Sequence, residues 1–269
     1  MREPESALSS RRFGIALLLF LVAILLVAPS LYPASATDQD LLATLQAPSL
    51  GHLAGTDQYG RDVLARLLAG GRLSLSASLL IVTGSLAIGF LAGISASLPG
   101  VIGTLLTQFM DIALALPSLV MALVVVGLLG IGLGNLIIAF ILVGWPYYAR
   151  LTRGFAQQRV KALDIRAARV LGVRERTILL HHVLPHAMRS LAIAAGLDLG
   201  YTLSALAGFS YLGLGAQAPA AEWGLMLRDA QMYFTVAPWL LLGPAAGIAW
   251  AVLATSLLTE EMHAARAGQ

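Results

Sequence analysis

Residues 150–189 read RLTRGFAQQRVKALDIRAARVLGVRERTILLHHVLPHAMR. Nine of them are basic (Arg150, Arg153, Arg159, Lys161, Arg166, Arg169, Arg174, Arg176 and Arg189) against two acids, Asp164 and Glu175. Short loops rich in Lys and Arg stay on the cytoplasmic side of a membrane, so this segment sets the orientation of everything around it. An Ala-rich run from Val160 to Leu171 is compatible with a helix, and Gly172 stands where a helix ends in a left-handed residue. A second run from Glu175 to Val183 is expected to stop at Pro185, which cannot continue the helix before it. The expected form is a short helix, a tight turn and another short helix lying on the membrane surface. Charge alone leaves two uses open, a grip on anionic lipid headgroups or a docking element for another protein.

Outward from this loop the chain is apolar. Of its 269 residues 58% are hydrophobic and 12% charged, where a soluble domain carries about a quarter charged residues. A spanning helix needs roughly 20 apolar residues, and six stretches qualify: 13–32, 74–98, 104–129, 131–149, 190–213 and 237–258. The fold class is therefore an all-α membrane protein with six transmembrane helices. The first stretch follows Arg11 and Arg12 like a signal peptide, yet its apolar run closes in Ala28-Pro29-Ser30 rather than in a clean small-x-small cleavage site, so a retained anchor is expected.

Alternation then divides the chain into a cytoplasmic N-terminus (1–12), the anchor (13–32), a periplasmic loop with an interfacial helix (33–72), a core (73–258) containing the cytoplasmic loop 150–189, and a cytoplasmic tail (259–269). The segment from Tyr32 to Arg72 holds Arg61, Arg66 and Arg72 against Asp38, Asp40, Asp57 and Asp62, which suits the periplasmic side. Both termini are expected inside. Cysteine is absent, which removes disulfides and thiolate metal sites. The sequence contains no Gly-x-x-x-x-Gly-Lys-Ser/Thr phosphate loop, and non-spanning segments of about forty residues are too short for a nucleotide-binding domain. The chain is expected to be no enzyme, to hold no cofactor and to have no catalytic residue; any ATP-driven step would belong to another chain.

Arg166-Ala167-Ala168-Arg169-Val170-Leu171-Gly172, followed by Leu184-Pro185, resembles the coupling loop of ABC importer permeases, which in that family reads Glu-Ala-Ala, three residues, Gly, and then Leu-Pro. The resemblance implies that the Ala pair and Gly let a helix pack into a cleft of an ATPase subunit. Arg166 departs from the family pattern by replacing the usual Glu, and Asp164 is the nearest carboxylate.

Gly55-Thr56-Asp57-Gln58-Tyr59-Gly60-Arg61-Asp62 forms a second pattern. It is similar to the Gly-Thr-Asp-x-x-Gly-Arg-Asp element before the second span in C-type permeases of dipeptide, oligopeptide and nickel importers. Thr56 or Asp57 is expected to cap a helix starting near Tyr59, with Arg and Asp bridging at short spacing. Trp145, Tyr147, Tyr148, Ala149 and Arg150 resemble the family's Trp-x-x-Tyr-Ala-Arg. Phe209, Leu212-Gly213-Leu214-Gly215, Pro219 and Glu222-Trp223-Gly224-x-Met226 resemble the end of its fifth span and the loop after it.

The likeness covers the chain from Gly55 to Leu258 and implies the type I importer permease fold. It also implies a second homologous permease, two ABC ATPase subunits that bind ATP and Mg, and a periplasmic solute-binding protein, all in the bacterial inner membrane system, with no nucleic-acid partner.

The cargo implied is a dipeptide or oligopeptide, or nickel and metal chelates; Leu197-Asp198-Leu199-Gly200, Ala221-Glu222-Trp223-Gly224 and Asp229-Ala230 look somewhat closer to the nickel branch. Asp198, inside the fifth expected span, either lines the path or is hydrogen-bonded to a neighbouring helix, since intramembrane charge is expensive. Asp111 reads as interfacial and locally paired. His181, His182 and His186 resemble a metal patch on paper, yet their place in the loop favours packing, so no metal ligands are expected. From another class, a stand-alone ion-coupled secondary transporter would require inverted repeats around a midplane ionisable site, and a scaffold without a path would have no use for either pattern.

Overall fold

The computed structural model describes residue 32, residues 34–98 and residues 100–267. In chain order the helices are α1 (Val63–Ser97), α2 (Val101–Ala115), α3 (Ser118–Leu129), α4 (Leu133–Val160), α5 (Leu163–Val170), α6 (Glu175–Ile178), a π-helical turn (Leu179–Val183), α7 (Leu184–Tyr211), α8 (Trp223–Ala230) and α9 (Trp239–Ala267). No strand occurs among the described residues; the one β-type pairing is an isolated bridge between Thr56 and Asp62.

Among the described residues four helical segments are long and apolar enough to cross a membrane: Val63–Ser97, Leu133–Val160, Glu175–Tyr211 and Trp239–Leu257. The bent pair α2 and α3 makes a fifth if counted as one span. The sixth expected stretch, 13–32, lies outside the described residues.

Three boundaries differ from the sequence reading. First, α1 is one helix of 35 residues rather than an interfacial helix followed by a span from residue 74. At about 1.5 Å per residue it is about 52 Å long, well beyond a hydrocarbon core of about 30 Å. Gly70 does not break it because α8 packs there: a Cβ on Gly70 would lie 3.2 Å from Met226 Sδ and from Trp223 Cδ1. Second, 104–129 is not one straight span. It breaks by 93° between α2 and α3, because Pro117 pushes Leu116 into extended backbone (ψ 142) and opens the next helix. Third, Pro185 does not end the helix it follows. The π turn lets the Leu184 N–H reach back to Leu179 O, and Pro185, second residue of α7, sits where a missing N–H does no harm.

The described chain forms two compact units. Among the described residues the first comprises those up to Leu80, Leu129–Ile137 and those from Gly196 onward, the second Ile81–Leu128 and Ile138–Ala195. In the first, Leu68, Leu203, Trp223, Met226 and Ala251 form one buried cluster and Val63, Ala230, Ala237 and Leu240 another. Trp223 is the centrepiece, its indole N–H donating to Leu67 O at 3.0 Å.

In the second unit α1 and α4 approach closely along small residues, the usual device for helix contact in lipid. A Cβ on Gly89 would sit 2.5 Å from Tyr148 Cβ, and one on Gly93 2.4 Å from Ala149 O. Beside this contact, Ala96, Met110 and Ala149 are buried with Trp145 packed against them.

Candidate functional site: a helical loop held by its own clips

The loop between α4 and α7 belongs wholly to the second unit. Ile165, Ile178, Val183 and Ala156 form a buried cluster beneath it, with Ile94 and Val160 packed alongside. This cluster pins one side of α5. The end of α5 is a Schellman turn: Gly172 adopts φ +79, its N–H donates to Arg169 O at 3.0 Å, and the Val173 N–H reaches Ala168 O at 3.0 Å. Two bidentate ion pairs clip the ends. Arg159 donates to both carboxylate oxygens of Asp164 at 2.8 and 2.5 Å, and Arg169 crosses the turn to both oxygens of Glu175 at 2.6 and 3.1 Å. The Arg159 hydrogen bond holds the Asp164 carboxyl below its ordinary value.

With Ile165 fully buried, the opposite face of α5 points away from the protein. Leu163, Val170 and Leu171 are 82%, 88% and 82% exposed, and Ala167, one turn from Leu163, is exposed with them. Arg166 and Gly172 are exposed too, Ala168 is half-buried, and a Cβ on Gly172 would touch nothing within 4 Å. Leu184 is half-buried and Pro185 exposed, at the start of α7. The structure thus places Arg166, Ala167 and Ala168 on α5 and Gly172 in the turn that closes it, while Leu184 and Pro185 stand beyond the π turn. The Leu163, Val170 and Leu171 face was missed in the sequence, although its i, i+7, i+8 spacing is a helical stripe. The two clips were missed as well; the signal was that both acids of the loop have an Arg five or six residues before them.

His181 Nδ1 faces Thr177 O at 3.2 Å, and His182 is half-buried with Nδ1 lacking a hydrogen-bond partner among the described residues. Among the described residues no three His, Asp or Glu side chains converge as a metal site. Asp198 is half-buried on α7 and is not free of partners.

The Gly55 to Asp62 pattern belongs to the first unit, where it folds as a knot before α1. Asp57, nearly fully buried, accepts from the N–H groups of Tyr59 (2.9 Å) and Arg61 (3.0 Å) and from Arg61 Nε (2.6 Å), with Arg66 Nε at 3.4 Å. Thr56 Oγ1 donates to Ala43 O and accepts from Gln46 N. Neither Thr56 nor Asp57 caps the helix as expected, and the helix starts at Val63, not near Tyr59. Asp62 supplies the cap, accepting from Ala65 N at 2.9 Å, while its other oxygen receives Tyr32 OH at 2.7 Å and lies 3.0 Å from His52 Nδ1. Gly60, at φ +70, leaves room for Asp40: a Cβ there would fall 1.7 Å from Asp40 O.

Arg66 extends the knot to the loop before α8, facing Pro219 O at 3.5 Å and Ala220 O at 3.4 Å. Glu222 follows, fully buried, capping α8 by accepting from Gly224 N (3.0 Å) and Leu225 N (2.9 Å) while Ser74 Oγ donates to it at 2.9 Å. These residues hold the fold together. Asp229, on α8, has its carboxyl raised by burial against the opposing pull of Arg66.

The family described as binding-protein-dependent transport system inner membrane component matches residues 85–265. The chain is 34% identical to the dipeptide transport system permease protein DppC of Alkalihalophilus pseudofirmus, over 97% of this chain and 88% of that one. It is 37% identical to the di/tripeptide permease protein DppC of Pseudomonas aeruginosa, over 93% and 85%, and 34% identical to the glutathione permease protein GsiD of Pectobacterium atrosepticum, over 91% and 82%. Among solved structures, an amino acid ABC transporter crystallised with histidines aligns at TM-score 0.57 and 19% identity, covering 76% of this chain and 94% of that one. The MetNI methionine ABC transporter aligns at TM-score 0.55 and 18% identity, covering 72% and 95%. Those two likenesses establish the fold alone, that of a type I importer permease. A multi-pass helical chain, matched by this family over most of its core and by permease subunits over nearly its whole length, belongs to the binding-protein-dependent inner membrane components: it is a permease subunit of an ABC importer and not itself an enzyme.

Proposed function

We propose that α5 is the seat through which a separate ATPase drives this permease, and that the cargo is a short peptide. The observation that carries the first part is the exposed apolar face of Leu163, Val170 and Leu171 on a helix whose other side is locked by Ile165. A contiguous apolar face on a water-facing loop is the mark of a protein contact, and the small residues Ala167 and Gly172 permit close approach there. Two of the loop's cations, Arg159 and Arg169, are engaged in the internal clips.

In this reading the loop 150–189 and both termini are cytoplasmic and the segment 33–72 is periplasmic. A second homologous permease, two ATPase subunits holding ATP and Mg, and a periplasmic binding protein complete the importer. ATPase closure would move α5 as a body, because the clips and the Schellman turn leave it little freedom of its own. The permease contributes differential stability of two helix arrangements rather than covalent chemistry. The relatives' names, dipeptide, di/tripeptide and glutathione, support a peptide cargo over nickel or a metal chelate. Asp198, half-buried and partnered, is assigned to helix contact rather than to the path wall.

The test is co-expression with the neighbouring transporter genes: a complex containing ATPase subunits and ATP-dependent peptide uptake is expected. A lone chain fully active in liposomes under an ion gradient would refute it.

A further inference from the structure

Docking α5 through its apolar face carries Arg166 into the contact with it. Leu163 lies three positions before Arg166 and Val170 four after, the spacing of neighbours on one helix surface, and all three are exposed. A surface that covers Leu163 and Val170 takes water from the guanidinium between them. Arginine is always charged, and a charge removed from water without a counter-charge is strongly unfavourable.

The loop offers no counter-charge of its own. It holds two acids, Asp164 and Glu175, and both are engaged in bidentate pairs with Arg159 and Arg169. Arg166 has no side-chain partner among the described residues. Asp164, the nearest carboxylate in sequence, is therefore no stand-in for the usual Glu that Arg166 replaces. At about 100° per residue, Arg166 borders one edge of the face formed by Leu163, Ala167, Val170 and Leu171. Asp164 borders the other edge, its side chain 55% exposed. A helix that lies on anionic headgroups is rich in Lys and Arg around its apolar face, whereas here an exposed carboxylate stands along one side.

We infer that the surface receiving α5 is an apolar hollow on the ATPase subunit with a carboxylate at its rim opposite Arg166, so that this permease is matched in charge to its own ATPase. The inference rests on the docking reading above and specifies the partner that the seat accepts: a subunit with an acidic rim, not one whose rim is basic.

The test is rebinding of the purified cognate ATPase to membranes that carry the permease pair stripped of it. Arg166→Gln should weaken rebinding by about tenfold, and Arg166→Glu, which restores the residue usual in the family, by more. One Asp or Glu to Lys change on the ATPase rim should recover both binding and uptake in Arg166→Glu and impair them in the wild-type permease. Wild-type binding by Arg166→Glu, or no recovery from any reversal along the rim, would overturn the charge match. A difference that vanishes in membranes of phosphatidylcholine alone would assign Arg166 to anionic headgroups and overturn it too. Val170→Asp separates the two readings. It should abolish rebinding whatever the charge at 166; rebinding equal to wild type would sink the docking reading itself, whereas loss in Val170→Asp beside wild-type binding in Arg166→Glu would remove the charge match alone.

Discussion

Gly172 is the position at which local backbone physics and transport should be most tightly joined. It holds φ +79 at the close of α5, and a Cβ there would meet nothing. Any effect of substitution therefore comes from the backbone and not from a clash. A left-handed conformation costs a non-glycine residue about 1–2 kcal/mol. Escape to an ordinary conformation gives up the two hydrogen bonds from Gly172 N and Val173 N, each contributing about 1 kcal/mol. The two routes are of similar cost, so either way the turn loses about 1–2 kcal/mol, a fall of about five- to thirty-fold in the ratio of ordered to disordered turn. Asn tolerates the left-handed region far better than a β-branched residue. Uptake in the reconstituted importer should thus fall in the order wild type, Gly172→Asn, Gly172→Ala, Gly172→Val. The permease should remain assembled in the membrane throughout, and ATP hydrolysis by the complex should become less dependent on cargo as uptake falls. Wild-type uptake in Gly172→Val, or Gly172→Asn as impaired as Gly172→Val, would refute the reasoning.

Glu222→Ala removes a fully buried carboxylate that receives three hydrogen bonds, at a cost of about 2–4 kcal/mol; thermal unfolding of the purified complex should show a clear drop in midpoint, and an unchanged midpoint would contradict the cap. Gly93→Val places a side chain against Ala149 O and Thr152 Cβ, where a Cβ alone sits at 2.4 and 2.5 Å, so the variant should be recovered in the membrane at a small fraction of the wild-type amount. Asp198→Asn should leave peptide uptake within about twofold of wild type, since a neutral amide keeps most of the hydrogen-bonding capacity of a helix contact; a large loss would move Asp198 to the path wall.

Much of this architecture was legible in the sequence because bilayer thickness is a strong, local signal. The apolar stretches that became α4, α7 and α9 could be read directly, and Gly172 stands at the helix end as its chemistry required. Boundaries set by neighbours could not be read. Helix α1 runs through Gly70 and Gly71 because Trp223 and Met226 pack there, more than 150 positions away in sequence. The bend at Pro117 was written in the sequence, but an apolar run of the right length hid it. Pro185 misled because a π turn supplies an alternative to helix termination. At the loop, the motif residues were found by spacing, whereas the exposed Leu163, Val170 and Leu171 face emerged only when Ile165 was seen to be the buried side. In the knot before α1, composition foretold ion pairs between Asp and Arg but not that Asp62, rather than Thr56 or Asp57, would cap the helix.

The most direct measurement of the central claim is a cross-link from Ala167→Cys, the sole thiol in this chain, to cysteines placed in the cleft of the ATPase subunit. The account predicts rapid disulfide formation in the assembled importer, altered in rate by ATP and accompanied by loss of uptake that a reductant restores. Modification of that cysteine by an impermeant reagent from the periplasmic side, or no cross-link to the ATPase under any nucleotide condition, would contradict it.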